Sequence, residues 1–277
     1  MKKTEKDLVA SEVRMALGED IGPGDITATL VPEDQLLEVQ VTSRQTGVLA
    51  GQAWFDEVFV QVDPSVEISW EVSDSQQVLA GECLCRLKGS ARSILTGERT
   101  ALNFLQFLSG TATSVSRYVD AVKGTNARIL DTRKTIPGLR HAQKYAVRAG
   151  GGTNHRMGLY DAILIKENHI AAAGSIQAVV DQARILHPGM AVEIEVERLD
   201  QLHQAVEARA DRAMLDNFDH HAMTAAVSRF GQRIELEASG GINLENVGQV
   251  AATGVHFISI GEITKQVIPL DLSMRYV

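Results

Sequence analysis

The apolar positions change rhythm along the chain, and the changes mark out two regions. Leu8, Val9, Val13, Ala16 and Leu17 follow a helical period that predicts an amphipathic helix over 4–17, with Gly18 as its stop. A Gly-Pro-Gly-Asp turn at 22–25 comes next. Residues 37–41 alternate as a strand, 52–62 are helical around Trp54 and Val58, and 67–72 and 83–87 are short strands. From 90 to 122 the pattern is helical again, with Leu95, Leu102, Leu105 and Leu108 on one face and a break near Gly110. This first region is α+β and ends in a connecting helix.

From Arg128 the rhythm becomes regular. Short apolar strands end in polar residues, and each is followed by a loop and a helical stretch, which is the pattern of an α/β barrel. The predicted strands are 128–131, 162–166, 192–196, 213–217, 234–239 and 257–260. A strand-like piece at 271–276 follows Pro269 and leaves the barrel. No self-similar period or low-complexity tract interrupts this order.

Composition narrows the function classes. The 277 residues are 44% hydrophobic and 22% charged, enough for a substantial core. The formal net charge of -8 argues against nucleic acid held by general electrostatics, so an anionic ligand must find a local basic site. No apolar run approaches the ~20 residues of a membrane span, and the start, 1–7, is charged with no apolar segment behind it, so the expected setting is cytoplasmic and without a membrane partner. Cys83 and Cys85 lack the second pair a zinc site needs and read as a reduced, buried pair.

In barrels of this kind the active site forms at the C-terminal strand ends. Arg133 and Lys134 follow the first predicted strand, Lys166 ends the second, Glu195 and Asp216 lie near the ends of the third and fourth, Ser239-Gly240-Gly241 end the fifth, and Gly261-Glu262 the sixth. Any one of these is an ordinary solvated loop residue; six together weaken that reading. Arg140, His141, Lys144, Arg148, the glycines 150–152, Asn154, His155 and Arg156 form a second cluster; helical spacing lets some of these, Lys144 and Arg148 especially, be a solvated face, and His155 and Arg156 are the candidates for the site. The cationic half suits carboxylates and phosphates. Glu195 and Asp216 suit Mg²⁺ or ribose hydroxyls, and the glycine-bearing ends expose backbone N–H groups to a phosphate.

The stretch DTRKTIPGLRHAQKYAVRAGGGTNHRMGLYDAILIKENHI, 131–170, resembles the central signature of quinolinate phosphoribosyltransferases. GEDIGPGDITATL, LTGERTALNFLQFLSG, EIEVERLDQL, MLDNF and HFISIGEITKQVIPLDLSMRY resemble that family in order, so nearly the whole chain is covered. The resemblance implies an N-terminal α/β sandwich over 1–110, an incomplete (β/α) barrel of six to seven parallel strands over 111–266, and a return of 267–277 to the first domain. It implies that Arg133, His155, Arg156 and Lys166 hold the quinolinate carboxylates, with Arg99 donated by the second subunit of a homodimer. Lys134 is implied near the pyrophosphate of phosphoribosyl pyrophosphate, and Glu195 and Asp216 at the ribose hydroxyls and Mg²⁺. Ser239, Gly240, Gly261 and Lys265 are implied at the 5-phosphate, although the family also carries other residues at 241 and 265. The implied activity converts quinolinate to nicotinate mononucleotide, pyrophosphate and CO₂ in NAD biosynthesis.

Three rivals share these residues: a relative acting on nicotinate, or one associated with molybdate transport; an aldolase with Lys166 as Schiff-base lysine; and a non-catalytic anion-binding regulator. The dense Arg-Lys-His cluster favours a dicarboxylate, and the acidic pair beside a phosphate cradle favours catalysis.

Overall fold

The computed structural model describes residues 4–277, so the charged start at 1–3 lies outside the described residues. Contacts divide the described residues into two compact units, one of 4–116, 136–151 and 266–277, the other of 117–135 and 152–265.

The first unit contains α1 (Glu5–Ile21), β1 (Leu36–Ser43), β2 (Gly47–Val48), α2 (Gln52–Val62), β3 (Glu67–Trp70), β4 (Gln77–Val78), β5 (Cys83–Ser90) and most of α3 (Ala91–Ala121). Thr4 caps α1 through a reciprocal pair of hydrogen bonds with Asp7. The helix runs past the predicted stop at Gly18, which meets nothing within 4 Å, and ends at Gly22, whose φ of 53° breaks the helical path ahead of Pro23. Gly110 does not break α3 either. A side chain there would strike the Ile268 carbonyl, so the glycine serves close approach of the C-terminal segment.

β12 (Leu272–Tyr276) pairs antiparallel with β1 in the sheet β12-β1-β5-β3. Against this sheet Trp54, Phe55, Val58 and Phe59 of α2 pack with Val9, Val13, Leu84, Leu87, Leu102 and Leu105 in one apolar core. The segment 111–266, read from sequence as continuous barrel, gives one helix to this core: α4 (Arg140–Ala149) buries Ala142, Ala146 and Ala149 there. Its expected solvated face is only half so, because Lys144 is fully buried while Arg148 is exposed and pairs with Glu5 at 3.2 Å.

The second unit carries six parallel strands with intervening helices: β6 (Arg128–Leu130), β7 (Ile163–Ile165), α5 (Glu167–Ala173), α6 (Ile176–Leu186), β8 (Val192–Val196), α7 (Leu199–Glu207), β9 (Arg212–Asp216), α8 (His220–Phe230), β10 (Glu235–Ser239), α9 (Val247–Ala252), β11 (Phe257–Ser259) and α10 (Glu262–Lys265). Their order is β6-β11-β10-β9-β8-β7, and all six correspond to strands read from the sequence. The seventh position is reduced to one parallel bridge. Thr153 N–H donates to the Ile129 carbonyl at 2.8 Å, and Asp131 N–H donates to the Thr153 carbonyl at 3.2 Å.

Alternation along these strands separates two surfaces. On β8, Val192, Ile194 and Val196 are fully buried and form the side toward the helices, while Glu193 and Glu195 share the opposite side, toward the barrel axis. On β9 and β10, Arg212 and Asp216, and Glu237 and Ser239, take that same side. The interior of the barrel is therefore charged.

Candidate active site

Backbone geometry builds the rim. After β6 the chain leaves through Asp131, which is fully buried and accepts from Asn154 Nδ2 at 2.6 Å and from the His155 N–H at 2.8 Å. Those bonds anchor the loop that carries Arg156. Arg133, Arg156 and Lys166 then line one cavity of about 500 Å³ that lies along β7, with His169 and with Val179, Ala183 and Leu186 of α6 on its other side. Burial first, and then the Arg133 charge nearby, hold the Arg156 guanidinium below its ordinary range against the opposite pull of Glu193 and Asp161. Three cations facing one cavity are matched to a ligand with more than one negative group.

Lys166 Nζ lies 2.6 Å from Glu195 Oε2, so the cationic half joins the acidic half at that point. This pairing engages the amine that an aldolase would need free for a Schiff base. Asp216 stands on the neighbouring strand, level with Ser239, and accepts from Asn217 Nδ2 at 3.0 Å. Asn217 itself adopts φ 54°, a conformation that its short polar side chain tolerates. Gly240 is required beside it: φ is 94°, and any Cβ would strike Asn217 Oδ1. Ser239, Gly240 and Gly241 thereby present bare backbone at the end of β10.

Lys134 is exposed, and its backbone is fixed by two hydrogen bonds, from its own N–H to Thr132 Oγ1 at 3.0 Å and from Thr264 Oγ1 of α10 to its carbonyl at 2.9 Å. Its side chain passes over Gly261, where an added Cβ would lie 2.9 Å from Lys134 Cδ. The two residues are thus one feature. Lys265 is exposed at the end of α10 and lines none of this cavity. Arg99 stands exposed on α3 of the first unit, in a groove with Arg44, Glu98 and Arg275.

His155 differs most from expectation. The sequence reading puts its ring on a substrate carboxylate. In the structure Nδ1 accepts the Arg156 N–H at 2.7 Å, and Nε2 turns into the barrel, 2.9 Å from Glu193 Oε2 and 3.5 Å from Glu237 Oε2. Both nitrogens face protein groups.

Residues 111–275 match the family description "Quinolinate phosphoribosyl transferase, C-terminal domain", and residues 25–109 match the N-terminal domain of the same family. The chain belongs to the quinolinate phosphoribosyltransferase family. It is similar to a probable nicotinate-nucleotide pyrophosphorylase [carboxylating] of Bacillus subtilis, with 42% identity over 92% of this chain and 89% of the relative. The nicotinate-nucleotide pyrophosphorylase [carboxylating] of Mycobacterium leprae is 41% identical over 98% of both chains. A solved nicotinate-nucleotide pyrophosphorylase structure from Francisella tularensis superposes with a TM-score of 0.97 at 48% identity, covering 99% of this chain and 98% of that one.

Within this family frame, the residues that sequence reasoning missed are the ones beneath the rim: Asp131, Glu193, Arg212 and Glu237. A signal for them exists. In a strand flanked by helices, an acid two positions before a rim acid shares its face, so Glu193 and Glu195 point the same way.

Proposed function

We propose that this chain transfers the phosphoribosyl group of 5-phosphoribosyl 1-pyrophosphate to the ring nitrogen of quinolinate, releasing pyrophosphate and CO₂ and forming nicotinate mononucleotide for NAD biosynthesis. The observation that carries this reading is the convergence of Arg133, Arg156 and Lys166 on one cavity, joined through Glu195 to the acid-bearing strand ends. The two guanidinium groups and Lys166 hold the quinolinate carboxylates and fix the nitrogen for attack. His155 contributes by holding the Arg156 backbone.

Lys134 faces the departing pyrophosphate, and the bare backbone at Ser239, Gly240 and Gly261 receives the 5-phosphate, with Lys265 as a nearby charge. Glu195 and Asp216 accept from the ribose hydroxyls. They also form the oxygen-only donor set that suits Mg²⁺, held directly or through water, and that ion would supply charge neutralisation to the pyrophosphate. Once the nitrogen carries ribose, the cationic ring stabilises the electron pair left on the ring carbon by the departing CO₂, and that carbon then takes a proton from solvent, so positioning suffices for decarboxylation and no organic cofactor is required.

Free Cys83 and Cys85 agree with a cytoplasmic setting, and among the described residues no helix is long and apolar enough to cross a membrane. Incubation with quinolinate, phosphoribosyl pyrophosphate and Mg²⁺ should give nicotinate mononucleotide, pyrophosphate and CO₂ in equal amounts. Nicotinate should be a poor substrate, because a missing carboxylate leaves cations unpaired at about 1–3 kcal/mol or more. Comparable turnover of nicotinate would refute the dicarboxylate reading.

The active unit in this reading is a homodimer in which Arg99 completes the partner's site. Arg99→Ala and Lys134→Ala dimers should each be nearly inactive. After subunit exchange a mixed dimer keeps one intact site, and random exchange should restore roughly a quarter of the activity. Verified exchange without recovery would place Arg99 outside the partner's site.

A further inference from the structure

Two carboxyl groups inside the barrel have no place in the substrate contacts above. Glu193 of β8 has 8% of its side chain exposed and Glu237 of β10 has none. The two carboxyl groups share one buried pocket with the His155 ring, all three offering polar atoms within 4.8 Å of one another. Glu193 Oε2 and Glu237 Oε2 lie 2.9 Å and 3.5 Å from His155 Nε2. Arg212 of β9 approaches from below, with Nη1 3.4 Å from Glu237 Oε2, while its guanidinium lies over the Phe257 ring of β11 at 3.8 Å. Ser259 of β11 and Glu235, on the same strand as Glu237, complete the polar and charged groups around the pair, with Arg156 acting on Glu193.

The tautomer of His155 follows from its other side. Nδ1 accepts a backbone N–H and therefore holds no proton, so in the neutral ring the proton sits on Nε2, between the two carboxyl groups. These three side chains also bring ligand atoms within 4.8 Å of one another, a spacing that a metal would accept. A metal-bound Nε2 normally leaves the other nitrogen as a donor, however, and here that nitrogen is an acceptor. The cluster is built around a proton.

We propose that Glu193 and Glu237 are positioning residues of the phosphoribosyl transfer: the acid pair fixes the His155 ring as its Nε2–H form, and Nδ1 in turn fixes the backbone of Arg156 in the quinolinate cavity. This rests on the reading of that cavity given above. The contacts run from the Oε2 atoms of both acids to Nε2, and from the Arg156 N–H to Nδ1 on the other side of the ring. Asp131 holds the same loop from the other side through the His155 N–H. Burial, with the Glu193 carboxylate beside it, pushes Glu237 up to about 8, in keeping with its acting as the proton-bearing member near neutrality.

The test compares Glu237→Gln, Glu237→Leu and Glu193→Leu in the full-length enzyme with Mg²⁺, after wild-type turnover of quinolinate has been shown; failure at that first step would count against the substrate reading and not against the clamp. Glu237→Gln keeps a neutral donor in the same shape, and its KM for quinolinate should stay within about threefold of wild type. Each leucine variant should raise the KM for quinolinate at least about tenfold, through misplacement of Arg156, and leave the KM for phosphoribosyl pyrophosphate within about threefold. A purely structural role would move both KM values or neither. The ¹⁵N spectrum of histidine-labelled wild type should show a neutral His155 with its proton on Nε2, a measurement that does not depend on the leucine variants folding. A proton on Nδ1, equal changes in both KM values, or a stoichiometric transition metal that Glu237→Gln abolishes would each overturn the proposal.

Discussion

The two units bury their interiors in opposite ways. In the first, α2 and the antiparallel sheet enclose Trp54, Phe55, Phe59 and Leu87, and the polar groups admitted there are paired locally, as Glu12 is with Trp54 Nε1 at 2.7 Å. In the second, the helix side of each strand is apolar, but the side toward the barrel axis carries Glu193, Glu195, Arg212, Asp216 and Glu237. Burying charge costs free energy unless it is paired, and the barrel retains it, so that interior is shaped by binding as well as by packing. The contrast teaches where a substitution should register. Truncation in the first interior should act on stability, and truncation around the second on catalysis.

The largest effect expected is at Trp54, which is fully buried and packs 5.1 Å from the Tyr145 ring, centroid to centroid. Trp54→Ala leaves a cavity and removes the donor from the buried Glu12 carboxylate, and should lower the unfolding free energy by about 3–5 kcal/mol. Chemical denaturation reads that loss. Turnover per folded molecule at low temperature should stay near wild type, and a matching collapse of kcat in the folded fraction would break the distinction.

Lys134→Ala is the reciprocal case and comes next in size. The side chain is exposed and lies over Gly261, so unfolding should shift by no more than about 0.5 kcal/mol. If Lys134 acts at the leaving group as proposed, loss of that cation should lower kcat by about 10²–10³, equivalent to about 2.7–4 kcal/mol. Kinetics and calorimetry on the same preparation decide the point. A large stability loss with little kinetic effect would make Lys134 part of the scaffold.

The same contrast explains what was legible in the sequence. All six barrel strands and the rim residues Arg133, Lys134, Lys166, Glu195 and Asp216 could be read because parallel strands carry apolar runs and their ends carry the chemistry. Gly18 and Gly110 were misleading, since periodicity treats a glycine as punctuation while a long helix tolerates one, whether exposed as at Gly18 or packed against the C-terminal segment as at Gly110. The membership of α4 was hidden for another reason: its alanines fit either unit, and only the contacts of Ala142 and Ala146 settle which. His155 could be found as a site residue but not oriented, because the Arg156 N–H and the two acids that capture its ring come from separate segments.

The finest discrimination between the two interiors comes from pH. Glu237 is raised from 4.5 to about 8, by burial first and then by the neighbouring Glu193 charge. The folded state therefore favours the protonated form. The stability this contributes is fully present below 4.5, the ordinary value, declines as pH rises because the unfolded chain releases the proton first, and is gone once pH passes about 8. Within that window one proton is worth at most about 1.4 kcal/mol per pH unit. Glu237→Gln has no proton to lose, so its stability should fall less steeply with pH than that of wild type across the window. The two curves should run parallel above about 8, where Glu237 is ionised in both folded and unfolded wild type. The comparison is made by denaturant titration of both proteins at matched ionic strength. Glu193 and His155 lie against Glu237 in wild type, so the difference between the curves reports Glu237 together with its effect on these two neighbours. Identical slopes would mean that Glu237 is charged in the folded barrel, and the charged interior would then be held by paired ions alone.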